Sequence, residues 1–251
     1  GLLGETVLMT YQKLLSYTRK AVDEFHMIED GDFIAVGVSG GKDSLSLALA
    51  LKGLQRFYPK KFELHAFTVS LGFDGFDASG VAALMADYQI PYTVIPTDIG
   101  EIVFEIRKEK NPCALCAKLR KGSFNEAAKQ LGCNKVALGH HMEDVVETFL
   151  MSLLYEGRIH TFSPVTHWDR MELYSIRPLL FTPESDLISF ARSMKLPILH
   201  NPCPANGFTK REYAKDMLRQ WNKENSGTTE RIFRAIRNSD IKGWNTDHGL
   251  S

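Results

Sequence analysis

The chain has 251 residues, 44% of them hydrophobic and 24% charged, with thirty Lys/Arg balanced by thirty Asp/Glu. That length suits one large or two small domains with a real core. The zero net charge announces no nucleic-acid partner, no apolar run approaches the ~20 residues needed to cross a bilayer, and four cysteines do not make a disulfide scaffold, so a cytoplasmic setting without membrane attachment is expected. The opening stretch, GLLGETVLMTYQKLLSYTRK, has no basic region followed by a continuous apolar segment and is not read as a secretory leader. Its apolar spacing predicts an amphipathic helix over 6–28. FIAVGV, 33–38, is a short β-branched run and reads as a buried strand, followed by a helix at 45–57. ELHAFTVSL, 63–71, and YTVIPTD, 92–98, read as further strands, with a helix at 78–89 between them. Then come a helix at 118–131, a strand at 134–140, a helix at 143–155, a late strand at 173–180, a helix at 183–195 and a basic helical tail at 209–242. Strands alternating with helices predict an α/β fold with a doubly wound, mainly parallel sheet. The simplest organisation is an N-terminal helical segment (1–30), an α/β domain (31–200) and a C-terminal basic helical extension (201–251).

Charge is uneven along this neutral chain. Residues 107–121 hold Arg107, Lys108, Lys110, Lys118, Arg120 and Lys121 against Glu109, and residues 195–242 hold ten Lys/Arg against five Asp/Glu. Such stretches are either solvated helix faces or a localised positive field.

The first strand runs into SGGKDS, Ser39 to Ser44, and then into a helix. Ligands in open α/β sheets bind at the carboxyl ends of strands, and a helix N-terminus there offers unpaired N–H groups to an anion. Gly40 and Gly41 let the backbone bend close to a ligand. Ser39 and Ser44 add hydroxyls, and Lys42 supplies a point charge for phosphate. Asp43 weakens a bare phosphate pocket, but makes sense if Mg²⁺ bridges it to the phosphates. The loop is neither a Walker A motif nor a dinucleotide fingerprint. At the end of the fourth strand, LGHHMEDVVETFL places His140, His141, Glu143 and Asp144 on the same side of the sheet. His140 and Asp144 are four apart and would share a helix face; with Asp43, Asp144 is a second candidate ligand for Mg²⁺. Arg177, after the late strand, is a candidate phosphate or RNA-backbone clamp, though a lone arginine is more often salt-bridged at the surface.

NPCALC, 111–116, carries Cys113 and Cys116, and NPCP, 201–204, carries Cys203. A redox pair, a zinc site completed by His200, and a [4Fe–4S] cluster with one iron left open all fit these spacings. Asn206 stands where a second downstream thiolate would fall, and Cys133 reads as a small, partly buried thiol.

The SGGKDS loop resembles the PP-loop of the ATP pyrophosphatases. The whole order, SGGKDS, P-C-x-x-C with a basic helix start, LGHHxxDxxET, RPL, then P-C before a basic helix, resembles the TtcA family of tRNA 2-thiocytidine synthetases over roughly residues 15–240. The resemblance implies the adenine nucleotide alpha hydrolase-like fold and binding of ATP, Mg²⁺ and a [4Fe–4S] cluster. It implies adenylation of cytidine 32 of tRNA and replacement of its C2 oxygen by sulfur. Carried over, Ser39, Gly40, Gly41, Lys42, Asp43 and Ser44 hold the ATP phosphates, and Cys113, Cys116 and Cys203 ligate the cluster; His140, Asp144 and Arg177 are added as ATP-binding candidates from their placement. Asp43 and the three cysteines are the catalytic expectations. Lys118, Arg120, Lys121, Lys210, Arg211 and Arg219 are the expected tRNA contacts, and Tyr213 and Trp221 are aromatic candidates for base stacking. A sulfur donor such as a cysteine desulfurase and a homodimeric assembly complete the expected partners. The competing readings are a PP-loop enzyme adenylating another tRNA base or a small molecule, with a zinc or redox cysteine site, and a non-catalytic RNA-binding metalloprotein.

Overall fold

The computed structural model describes residues 2–106, 112–199 and 209–246. In chain order the elements are α1 (Leu2–Glu24), β1 (Asp32–Gly37), α2 (Lys42–Gln55), β2 (Phe62–Ser70), α3 (Ser79–Asp87), β3 (Tyr92–Pro96), the short α4 (Ile99–Glu101), α5 (Pro112–Leu131) and β4 (Lys135–Ala137). They continue with α6 (Met142–Met151), β5 (Val165–Trp168), β6 (Leu173–Ile176), α7 (Glu184–Met194), α8 (Lys210–Glu224) and α9 (Thr228–Arg237).

The strands form one sheet in the order β3-β2-β1-β4-β6-β5. Every neighbouring pair is parallel except β5 and β6. The chain moves outward from β1 through β2 to β3, then crosses to β4 on the other side of β1. The crevice between the ends of β1 and β4 is therefore the topological switch point, where open α/β sheets bind ligands.

Side chains alternate across the sheet, as strand geometry requires. Ile34 and Val36 of β1, Leu64 and Ala66 of β2 and Ala137 of β4 join the large core, which residues of α1, α2, α3, α6, α7, α8 and α9 complete. Ala35, Phe67 and Val136 point to the other face and meet Phe124 and Ala128 of α5. The C-terminal half of α5 is thus seated on the sheet. Its first turns meet instead a small cluster in which Cys116 packs with Leu71, Ile99 and Val103. At the opposite end of the sheet, Lys135 Nζ lies 2.6 Å from Asp32 Oδ2 and donates to the Met27 carbonyl at 2.8 Å, so this buried charge is paired.

The structure differs from the sequence expectation in particular places. Helix α5 begins at Pro112, not 118, so Cys113 and Cys116 lie in its first turns rather than before it. Proline at a first helical position loses no hydrogen bond, so the helix can start on it. Strand β5, VTHW, is too short to show alternation and was not anticipated. The late strand stops at Ile176, before the Pro178 that cannot donate to a ladder. Helix α6 ends at Met151 and widens into π-helical turns over Ser152–Glu156, closed by left-handed Gly157. The tail is two helices, separated at Gly227, whose φ of 84° suits glycine.

Candidate functional site

Three helix N-termini meet at the switch point. Helix α2 starts at Lys42 after Gly41, α6 starts after His141, and α7 starts at Glu184 after Pro183. Each has carboxylates in its first turn: Asp43; Glu143 and Asp144; Glu184 and Asp186. The three ends are tied together. The Glu184 N–H donates to Glu143 Oε2 at 2.8 Å, and the Met142 N–H donates to the Thr182 carbonyl at 3.2 Å. Lys42 Nζ lies 3.2 Å from both Asp43 Oδ1 and Glu184 Oε1. His141, 2% exposed, sits among all of them, 3.4 Å from Asp144, 3.6 Å from Asp43 and 3.2 Å from Glu143. The Asp144 carboxylate also accepts the His141 backbone N–H at 2.9 Å, capping α6.

The electrostatics of this cluster follow from burial and crowding. Burial raises the Asp43 pKa and outweighs the attraction of His141 and Lys42. Burial opposes the charged form of His141, yet Glu143, Asp144 and Asp43 together hold its pKa above the usual imidazole value. Burial likewise opposes the Lys42 ammonium, but Asp43 and Glu184 raise its pKa overall. The carboxylates around His141 favour its charged form, and the hard oxygens of Asp43 and Asp144 are the better donors for Mg²⁺. The ligating atoms of Asp43, His141 and Asp144 lie within 4.8 Å of one another. Asp43 Oδ1 is buried and accepts no hydrogen bond, although Lys42 Nζ is close. A buried carboxylate oxygen with a spare lone pair is what a bridging cation needs, so the donor set fits one.

The loop 39–44 is already shaped. Ser44 Oγ accepts the Ser39 N–H at 3.0 Å and the Gly40 N–H at 3.3 Å, so this hydroxyl organises the loop from within. Gly40 has a φ of 92°, and a Cβ there would collide with Leu199. Gly139 brings the β4 loop against the backbone of Asp43 and Ser44, where a Cβ would sit 3.3 Å from both.

A cavity of about 590 Å³ opens at this point. Ser39, Asp43, Ser44, His140, Asp144 and Arg177 line one side, and Ala117, Arg120, Lys121 and Phe124 of α5 line the other. Phe67, Val69, Val136 and Leu138 give it an apolar floor. Helical spacing then relates the cysteines to this wall. Cys113, Ala117 and Lys121 recur every four residues, as do Cys116, Arg120 and Phe124. The cysteines stand about one turn, roughly 6 Å, above the cavity wall on the same helix. Cys113 is exposed and Cys116 is buried. Their i,i+3 placement puts two soft thiolate donors on neighbouring positions, a set that fits an iron–sulfur centre. Cys133 follows the far end of α5, some 25 Å away by helix length, and burial pushes its thiol pKa up to about 11. It cannot join them. Cys203, His200, Asn206, Arg107, Lys108 and Lys110 lie outside the described residues. The second described stretch ends at Leu199, whose N–H donates to the Gly40 carbonyl at 2.8 Å.

The remaining expected residues separate. Lys121 Nζ lies 3.8 Å from the Trp168 ring centroid, and partial desolvation followed by the charge of Arg177 lowers its pKa. Lys118 is exposed. On α8, Lys210 lies over Tyr155 at 4.7 Å, Arg211 pairs with Glu147 at 3.3 Å, and Arg219 pairs with Asp216 at 2.8 Å. Tyr213 is exposed and Trp221 is packed against the core. Arg177 is internal, 7% exposed, and holds His140. Sequence reasoning missed Glu184. Its only signal, Pro183 before an acidic first turn, is that of a helix start.

A cavity at the switch point, walled by an SGGKDS loop on a helix N-terminus, defines a PP-loop protein. The family model for the PP-loop domain matches residues 12–236. The tRNA-cytidine(32) 2-sulfurtransferase of Dechloromonas aromatica is 38% identical over 235 residues, covering 91% of this chain and 82% of that protein. The enzyme of the same name from Geobacter sulfurreducens is 37% identical, covering 91% and 90%. This chain belongs to the TtcA family. Among solved structures, the U34-tRNA thiolase NcsA from Methanococcus maripaludis, determined with its [4Fe-4S] cluster, matches with a TM-score of 0.71 over 90% of this chain and 77% of that one. At 23% identity that likeness shows the fold. Among the described residues no helix is long and apolar enough to cross a membrane.

Proposed function

We propose that this chain is an ATP-dependent tRNA-cytidine(32) 2-sulfurtransferase. The observation that carries this reading is the shared cavity, whose two walls are the nucleotide loop and the helix that bears the C-x-x-C pair. An adenylating enzyme for a small molecule has no need of cysteines there.

The loop N–H groups at the start of α2, with Lys42, bind the ATP phosphates. Asp43 and Asp144 hold Mg²⁺, which offsets phosphate charge when bound. The cytosine O2 attacks the α-phosphorus; the new O–P bond replaces the bond to pyrophosphate, which leaves. Sulfide then forms a C–S bond at C2 as the C2–O bond breaks, so the oxygen, a poor leaving group in the amide-like base, departs as part of AMP. Cys113, Cys116 and Cys203 ligate a [4Fe–4S] cluster, which when bound offers an iron site for sulfide. The target base leaves its stack to enter the cavity. Arg120 and Lys121 face it inside the cavity, and Lys118, Lys210, Arg211 and Arg219 contribute the outer positive field toward tRNA phosphates. A sulfur donor of the cysteine desulfurase class replenishes the sulfide, and a homodimer is the proposed assembly.

Mass spectrometry of tRNA nucleosides tests the reading. A strain lacking this chain should lose 2-thiocytidine and regain it on complementation. Unchanged 2-thiocytidine in the deletion would defeat the assignment. Anaerobically purified protein should show the broad visible absorbance of an iron–sulfur protein, and a colourless protein with stoichiometric zinc would sink the cluster.

A further inference from the structure

We infer that Arg177 is a positioning residue: it pins the His140 ring so that a neutral Nε2–H donor faces the cavity. The argument starts from hydrogen-bond chemistry. Arg177 Nε lies 3.1 Å from His140 Nδ1. A guanidinium nitrogen only donates, so Nδ1 must be the acceptor. A neutral imidazole that accepts at Nδ1 carries its proton on Nε2.

The arrangement is rigid. Arg177 Nη1 donates to the Ser163 carbonyl at 2.6 Å and lies 3.4 Å from Thr166 Oγ1. The guanidinium and the His140 ring both lie against Phe162, at 4.8 Å and 4.7 Å. Arginine and histidine are thus clamped on one aromatic ring, with the arginine anchored by β5 and the chain before it. The charged groups around His140 are Arg177, Asp144, Arg211 and His141. Burial, then Arg177, brings its pKa down to about 4, so the ring is uncharged at neutral pH.

This changes what Arg177 does. Arg120 and Lys121 bring further cationic groups to the cavity, while Arg177 commits its Nε and Nη1 donors to protein groups. His140 then offers a donor that does not surrender its proton. Such a group suits an acceptor oxygen on which charge grows, at the phosphoryl group or at the base carbonyl, and leaves a sulfur nucleophile unprotonated. That last role rests on the proposed thiolation; the tautomer does not.

The test uses the full chain with ¹⁵N-labelled histidine, the His140 signals being assigned by their loss in His140→Gln. The wild type should show, at neutral pH, one N–H nitrogen at Nε2 and one bare, hydrogen-bonded nitrogen at Nδ1. Arg177→Met should release the ring to a mixture of tautomers, and Arg177→Lys, which keeps a donor, should restore the Nε2–H form at least in part. Thiolation kcat should fall by up to about 100- to 1,000-fold in Arg177→Met, the range for one lost oxyanion donor, with little further loss in the double variant with His140→Gln. A wild-type His140 protonated at Nδ1, or on both nitrogens, overturns the proposal even if Arg177→Met does not fold. So does an Arg177→Met protein that melts earlier but keeps the wild-type tautomer. A fixed Nε2–H tautomer in a chain without thiolation activity refutes the proposed function and leaves the positioning role standing.

Discussion

Gly139→Ala is the sharpest probe of how the β4 loop and the nucleotide loop fit. The added Cβ would stand 3.3 Å from the Asp43 carbonyl carbon and the Ser44 nitrogen, and 3.4 Å from the Asp43 oxygen. Optimal carbon contacts lie at about 3.5–4.0 Å. The atoms in the way are backbone, so no rotamer change relieves them, and the first turn of α2 must move by a few tenths of an ångström. Overpacking of this kind costs about 1–3 kcal/mol. If the nucleotide requires the undistorted loop, the same strain weakens ATP binding by roughly 5- to 100-fold, at about 1.4 kcal/mol per decade. Isothermal calorimetry with Mg-ATP reads the affinity, and thermal melting reads the stability. A Gly139→Ala protein that binds ATP within twofold of wild type and melts at the same temperature would refute the reasoning.

Gly122 is the matched control: it lies inside α5 with nothing within 4 Å of a built Cβ. Gly122→Ala should stabilise by about 0.5–1 kcal/mol and raise Tm by roughly 1–4 °C in differential scanning calorimetry, with ATP affinity unchanged. Cys133, with its thiol pKa pushed up to about 11 by burial, should resist iodoacetamide at pH 8 in the native chain and react only on unfolding, as followed by mass spectrometry. Burial first, then Asp144, raises the Glu147 pKa from 4.5 to about 7 against the pull of Lys215 and Arg211. The folded protein therefore holds this proton more tightly than the unfolded chain, and the group's contribution is present below pH 4.5 and lost as pH rises toward 7. Urea titrations across that window should show a flatter pH dependence in Glu147→Gln, and an unchanged slope would show that Glu147 does not titrate there.

What the sequence disclosed depended on the range of the interaction behind each feature. SGGKDS was legible because a strand, two glycines and a helix start are local, and their chemistry is set by backbone geometry. The parallel sheet was legible for the same reason, since buried strands and amphipathic helices announce themselves within ten residues. Strand β5 was not, because its pairing with β6 is decided by the partner strand rather than by VTHW itself. The start of α5 was masked by Pro112, which reads as a breaker unless one knows it occupies the first position. Glu184 was invisible for a deeper reason: it reaches Lys42 across 142 positions of chain, and only the convergence of three helix ends brings it there. Arg177 was visible as a residue, but its task was not, because a buried guanidinium and an exposed one look alike in a sequence.

Helix α5 carries the last step of the synthesis. Read along the chain, the C-x-x-C pair and the basic stretch after it are two motifs with two expected tasks, metal and tRNA. Folded, they are successive turns of one helix whose later turns are fixed to the sheet through Phe124 and Ala128. Cys116 is packed against Leu71 and Val103, and Arg120, one turn on, faces the nucleotide loop across the cavity. The spacing between the cysteine pair and the cavity wall is then set by about one helical turn, roughly 6 Å. That spacing cannot drift, because the cysteines and the wall residues Ala117, Arg120, Lys121 and Phe124 ride on the same helix. A base adenylated at the loop would thus lie against the helix that carries the cysteine pair. Under the proposed function, activation and sulfur transfer would act on a base held in this one cavity, between the nucleotide loop and the helix that carries the cysteine pair.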